Sequence, residues 1–127
     1  MLVSSTHREA WRRSWALEAE ALEVRRRQFQ AVAPLAAAEL HQRWPGLGVW
    51  LFGSVLGEGF RLGSDLDLAV EGLAASEQLT ALAQLEQRLD AEVRRLGIAP
   101  IPIDLVRIES LPLPWQQRIR LLGQRLE

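Results

Sequence analysis

Trp11, Trp15, Leu22 and Phe29 recur at steps of four and seven, which places them on one stripe of a helix. Thr6-His7-Arg8-Glu9 has the spacing of a capping box, so a helix is expected to start there, with the Thr hydroxyl and Glu carboxylate taking the first free amides. Pro34 lacks an amide and crowds the turn before it, which predicts a kink or break near Val32. A second helix would then carry Leu35 and Leu40 toward Arg43 and end at Pro45-Gly46. From Val49 to Phe52 the helical spacing gives way to a short apolar run bounded by glycines, the pattern of a buried strand. A glycine-rich turn follows. Asp65 to Val70 then alternates, with Leu66 and Leu68 on one face of a strand and Asp65 and Asp67 on the other.

Leu79, Leu82, Leu85, Leu89, Val93 and Leu96 form a helical stripe, with Ser76-Glu77 as N-cap and first-turn acid and Gly97 as the stop. Ile101 to Ile108 is a third strand with Asp104 in its middle, and Pro112 and Pro114 introduce a last helix over Leu113 to Leu122, stopped by Gly123. The order helix, strand, turn, strand, helix, strand, helix predicts an α+β fold, a small mixed β-sheet with helices packed on it. No internal repeat or linker divides it. Residues 1–127 are expected to form one domain, with an N-terminal helical segment at 6–43, a core at 48–108 and a C-terminal helix at 112–123.

Composition narrows the chemistry. A chain of 127 residues, 48% hydrophobic and 24% charged, is expected to fold around one core by burial alone. Cysteine is absent, which removes a disulfide framework, a thiolate zinc site and a cysteine nucleophile. No apolar run approaches the roughly 20 residues that span a bilayer, and Met1 to Ala10 lacks a signal-type block, so a soluble cytoplasmic protein with no membrane contact is expected. A net charge of −1 gives no electrostatic drive toward direct nucleic-acid binding. All 15 basic residues are Arg, a pattern we attribute to coding bias. Arg25-Arg26-Arg27, with Glu18, Glu20 and Glu23 nearby, reads as a solvated face. His7 and His41 have no Asp, Ser or Cys at catalytic spacing and are set aside.

The acidic pair is the unusual feature. Carboxylates in an apolar strand are costly unless something positive compensates them. An isolated Asp-x-Asp is a weak signal, since one acid can face solvent while the other caps a turn. Three further elements strengthen it. Gly53-Ser54 directly follows the first strand, where a hydroxyl and backbone amides can approach phosphate oxygens. Ser64 precedes the pair and can cap or orient it, and Asp104 lies on a later strand flanked by Ile103, Leu105 and Val106. Oxygen ligands of this kind suit Mg²⁺, which bridges carboxylates to substrate phosphates, and two such ions would clamp an in-line displacement.

Leu51-Phe52-Gly53-Ser54, Ser64-Asp65-Leu66-Asp67-Leu68 and Ile103-Asp104-Leu105-Val106, in that order, resemble the minimal nucleotidyltransferases of the DNA polymerase β superfamily. The motif region covers Val49 to Val106, and the stretch from Leu111 to Leu126 is also similar. The resemblance implies that Gly53 and Ser54 bind the triphosphate, that Asp65 and Asp67 ligate metal, and that Asp104 is the third carboxylate and helps deprotonate the acceptor hydroxyl. It also implies Mg²⁺ as cofactor, ATP or another NTP as donor and a polymerase-β-like core. One departure stands out: where many members carry an Arg-Gly pair shortly after the motif Ser, this chain reads Gly57-Glu58-Gly59, and Arg61 is the nearest cation that a shifted turn could supply.

The chain is short for a separate acceptor-binding domain, so the acceptor is expected to arrive on another protein. Proteins resembling this one are often antitoxins paired with a helical ribonuclease toxin of the HEPN class, which they silence by adding AMP to a Tyr. A silent binding module and a small-molecule (aminoglycoside-type) nucleotidyltransferase are the rival expectations. The N-terminal stripe leaves two readings open. It either packs across its own sheet or, through Trp11 and Trp15, docks a helical partner or a second copy.

Overall fold

In the computed structural model, which describes residues 5–127, one helix α1 runs from Ser5 to Arg43. After it come β1 (Gly48–Phe52), a 3-10 turn at Ser54–Leu56, β2 (Leu66–Glu71) and a second such turn at Ala75–Glu77. Helix α2 (Gln78–Leu96), β3 (Ile103–Arg107), a turn at Ile108–Ser110, helix α3 (Leu113–Leu122) and β4 (Gln124–Leu126) complete the chain. The sheet order is β3-β2-β1-β4. β1 is antiparallel to both β2 and β4, while β2 and β3 are parallel, so the sheet is mixed as expected. The parallel pair requires a crossover, and α2 provides it.

Pro34 does not break α1, contrary to the sequence expectation. The reason is where it points. Pro34 and Gln30, whose carbonyl loses its amide partner, are both exposed, so water can take the freed acceptor. On the opposite side Phe29, Val32, Ala33, Ala36, Ala37 and Leu40 are buried against the sheet, and that burial holds the helix together through the proline. The helix also includes Ser5, so Thr6 lies one residue inside it and the cap itself falls outside the described residues.

The aromatic stripe of α1 divides in two. Phe29 is buried and Leu22 packs against the core, but Trp11 and Trp15 are 54% and 66% exposed. Every residue from Ser5 to Ala21 is exposed, so about 25 Å of helix runs clear of the core. The arginine run is likewise not a solvated face. Arg25 is buried, donates to Ala99 O at 2.9 Å and to Pro100 O, and lies over the Phe29 ring. Arg26 donates to Val55 O and to Gly57 O at 3.1 Å, and only Arg27 faces water.

Leu79 and Leu96, expected in the buried stripe of α2, are exposed, and the stripe is Ala81, Leu85, Leu89 and Val93 with Leu82 partly buried. Leu79 stands two residues before Ala81, about 200° around the helix, and therefore faces away from the sheet. Ser76 makes no cap either: it sits in the 3-10 turn, and α2 starts without a side-chain cap. Gly97 ends α2 as expected, in the left-handed region at φ 71°, where its amide and that of Ile98 close back onto Arg94 and Val93 carbonyls. β4 had no signal at sequence level. It is three residues long and follows Gly123, where a Cβ would collide with the Ile119 carbonyl.

The two faces of the sheet differ. Val49, Leu51, Leu66, Leu68, Val70 and Leu105 face α1 and α2 in the main core. On the other face Trp50, Ala69 and Ile108 pack with Ile119 of α3 in a smaller cluster. α3 covers only part of that face, and the acidic residues lie beyond its cover.

Two stability outcomes follow from this division of α1. A chain beginning at Glu18 should melt within about 3 °C of the full chain, because every described residue that it loses is exposed. Phe29→Ala should cost about 3–5 kcal/mol in urea denaturation.

Candidate nucleotide and metal site

Register builds the site. Phe52 of β1 pairs with Asp67 of β2, and Asp67 pairs with Asp104 of β3. Neighbouring residues in register share a face, so Asp67 and Asp104 project side by side, and Asp65, two residues earlier, projects to the same side. It is the face opposite the main core. Asp65 lies just ahead of β2 rather than within it and is exposed; Asp104 is exposed on the edge strand; Asp67 is half-buried between them.

Three like charges on one face disturb the central one most. The Asp67 carboxyl is pushed up to about 6 from an ordinary 3.8, first by burial, then by Asp104, then by Asp65. Among the described residues none of the three acids has an ion-pair partner. Nor do three acidic or histidine side chains among those residues stand close enough to form a closed metal-ligand group. The donor set still fits a hard divalent cation, since it is all carboxylate oxygen with negative charge left uncompensated on a half-open face. Such an ion would be held chiefly by Asp65 and Asp67, with Asp104 beside them.

The glycine turn is fitted against this carboxylate. Gly53 has φ 84°, a conformation that side chains rarely adopt, and a Cβ there would overlap Asp67 Oδ2 and lie 2.9 Å from Asp67 Cγ. Glycine is therefore required twice, for the backbone angle and for the approach. The Ser54–Leu56 turn starts at once, so the Gly53-Ser54 backbone and the Ser54 hydroxyl sit beside Asp67. Arg26 of α1 grips the far end of the turn through Val55 O and Gly57 O, with its guanidinium 4.9 Å from the Phe60 ring centroid.

Ser64 and Arg61 stand elsewhere. Ser64 Oγ accepts the Arg61 amide at 2.9 Å and the Ser64 amide returns to Arg61 O at 3.0 Å, closing a turn ahead of Asp65. Ser64 thus shapes the entry to β2. The Arg61 side chain is exposed, and neither residue lines the cavity next to Gly53.

That cavity, of about 510 Å³, lies between the glycine turn and α3. Gly53 and Ser54 form one wall, and Trp115, Arg118, Ile119 and Leu122 form another. Sequence reasoning passed over Trp115 and Arg118. Their spacing of three on a short helix was the available signal, since it puts both on one face. Arg26 was missed for another reason: nothing in an Arg-rich helix distinguishes the residue that turns inward.

A family model described as a nucleotidyltransferase domain matches residues 35–126. No curated protein matches the chain. Among solved structures, the toxin-antitoxin complex MntA-HepT is similar, with a TM-score of 0.53 at 22% identity over 77% of this chain and 71% of that one. A mutant form of that complex aligns with a TM-score of 0.49 at 25% identity, covering 72% of this chain and 68% of the other.

Two outcomes test the site without any ligand. Gly53→Ala should destabilise the fold by about 1–3 kcal/mol through the strained angle and the collision with Asp67, read by urea denaturation. The second concerns pH. Because the folded carboxyl of Asp67 titrates above its unfolded value, the native state holds the extra proton between about pH 4 and 6, and stability falls as pH rises through that window. In EDTA, Asp67→Asn should therefore match the parent near pH 4 and exceed it above pH 6 by about 1–2 kcal/mol, after allowance for the water that reaches this half-buried group. An equal difference at both pH values would refute the assigned shift.

Proposed function

The chain belongs to the nucleotidyltransferase-domain family, and from that premise we propose that it transfers AMP from ATP to a hydroxyl in a Mg²⁺-dependent reaction. The observation that carries this reading is the acidic face, where Asp65, Asp67 and Asp104 stand together, without cationic partners among the described residues, against a glycine turn that exists to approach them. A purely structural sheet has no use for that arrangement, which raises the energy of Asp67.

In the reaction the acceptor oxygen attacks the α-phosphorus, the bond to the bridging oxygen breaks, and pyrophosphate leaves with the electron pair. Asp104, exposed on the edge strand, takes the hydroxyl proton. Gly53 and Ser54 seat the triphosphate, and Asp65 and Asp67 fix the charge that balances it. Bound Mg²⁺ supplies neutralisation of the phosphate oxygens. Positioning and charge do the rest, because transfer at phosphorus needs little covalent help from protein.

The acceptor in this reading is a Tyr of a helical HEPN-type ribonuclease toxin, and the chain is its antitoxin in the cytoplasm. Two observations support it. The similar structure, MntA-HepT, is a toxin-antitoxin complex. And the exposed half of α1, with Trp11 and Trp15, offers a long surface on which a helical partner can lie.

The test is transfer of label from α-labelled ATP to a co-expressed helical partner. Labelling should require Mg²⁺ and vanish in EDTA and in Asp65→Asn/Asp67→Asn, which should keep the parent's circular dichroism. Mg·ATP at about a hundred times its dissociation constant should stabilise the parent by about 2.7 kcal/mol. Undiminished labelling by the double variant would overturn the assignment. A parent that neutralises the partner with neither labelling nor stabilisation by Mg·ATP would be a stoichiometric binder instead.

A further inference from the structure

The geometry points to α3 as the second half of the nucleotide site, with Trp115 stacking on the base and Arg118 supplying the cation for the triphosphate. This rests on the nucleotidyltransferase reading and adds to it two residues outside the three motifs.

The loop that follows Ser54 brings no positive charge to the phosphate seat. It carries Glu58, and Arg61 does not line the cavity. Arg118 does. It faces the same cavity as Gly53 and Ser54, and among the described residues it has no ion-pair partner, so its charge is available to something from outside. A planar guanidinium with several donors is suited to phosphate oxygens.

Trp115 stands one turn earlier on the same face. Trp115 is 55% exposed, and the Arg118 guanidinium lies 5.8 Å from its ring centroid. Beside the ring the wall is apolar, formed by Phe52, Leu56, Ile119 and Leu122. An aromatic plane over an apolar wall takes a flat heterocycle, and every nucleobase has a face to stack. The volume of about 510 Å³ falls within the 300–1,000 Å³ range of small-molecule sites. The rival occupant is an apolar segment of the partner protein. It would bury Arg118 opposite no acid of this chain, whereas a nucleotide brings its own negative charge. The nucleotide is the better match.

Calorimetric titration of the full chain with Mg·ATP and with Mg·tripolyphosphate separates the two roles. Trp115→Leu should weaken Mg·ATP about tenfold and leave Mg·tripolyphosphate unchanged, with Trp115→Phe restoring most of the loss. Arg118→Gln should weaken both ligands about tenfold. Both positions are exposed, and circular dichroism checks that each variant is folded. If the parent binds Mg·ATP and both variants bind it equally well, α3 has no part in the site and the nucleotidyltransferase reading stands without it. If the parent binds neither ligand, that reading fails and this one with it. Trp115→Leu that keeps its Mg·ATP affinity but loses the helical partner in a pull-down would give the cavity to the partner and overturn the base-stacking role.

Discussion

The approach of Gly53 to the Asp67 carboxylate is the constraint around which the rest of the structure is arranged. A carboxyl held half-buried between two other acids is destabilised in its charged form, and its titration near 6 expresses that. Four features of the fold build this arrangement. Antiparallel pairing of β1 and β2 brings Phe52 opposite Asp67, so the chain leaves β1 directly beside the acid. Glycine at 53 admits the turn without a side chain in the way. Parallel pairing of β2 and β3 adds Asp104 to the same face. Arg26 then ties the far end of the turn to α1, so the loop cannot swing off the carboxylates without breaking bonds to a helix anchored in the core.

Much of this was legible in the sequence because it rests on period and spacing. The alternation of Leu66 and Leu68 with Asp65 and Asp67 requires only that the segment be a strand, and any strand puts those acids on one face. The third acid followed from the same logic once Ile103 to Val106 read as a strand. What the sequence could not express is which side of an element meets which neighbour. Pro34 reads as a break in isolation and is absorbed once its exposed side faces water and its opposite side is buried. Arg25, Arg26 and Arg27 are equivalent as letters, yet two of them turn inward. β4 is too short to have a period, and it exists because β1 offers it an open edge. The acids stand side by side on one face without closing into a ligand group among the described residues.

The position of α1 links the site to the exposed N-terminal part of the molecule. The helix is continuous from Ser5 to Arg43, so its exposed aromatic half and its buried half are one rigid element. Arg26 sits near the junction, about one and a half turns beyond Ala21, in neither the exposed nor the most deeply buried part, and it is this residue that holds the glycine turn.

The division of labour across the sheet explains how so short a chain carries both a core and a site. One face is given wholly to α1 and α2, and nearly all the deeply buried side chains lie there. The other face needs only Trp50, Ala69, Ile108 and Ile119 to fasten α3 over β1, which leaves the ends of β2 and β3 open. Charge can therefore accumulate at those ends without entering the core. It also follows that α3 is placed by the small cluster alone: Ile119 is its one buried residue, and the same residue lines the cavity beside Gly53. The packing that seats this helix and the wall that faces the glycine turn are thus the same contact. A change at Ile119 acts on both at once, whereas a change at Trp115 or Arg118, exposed on the cavity side, acts on the site and spares the fastening.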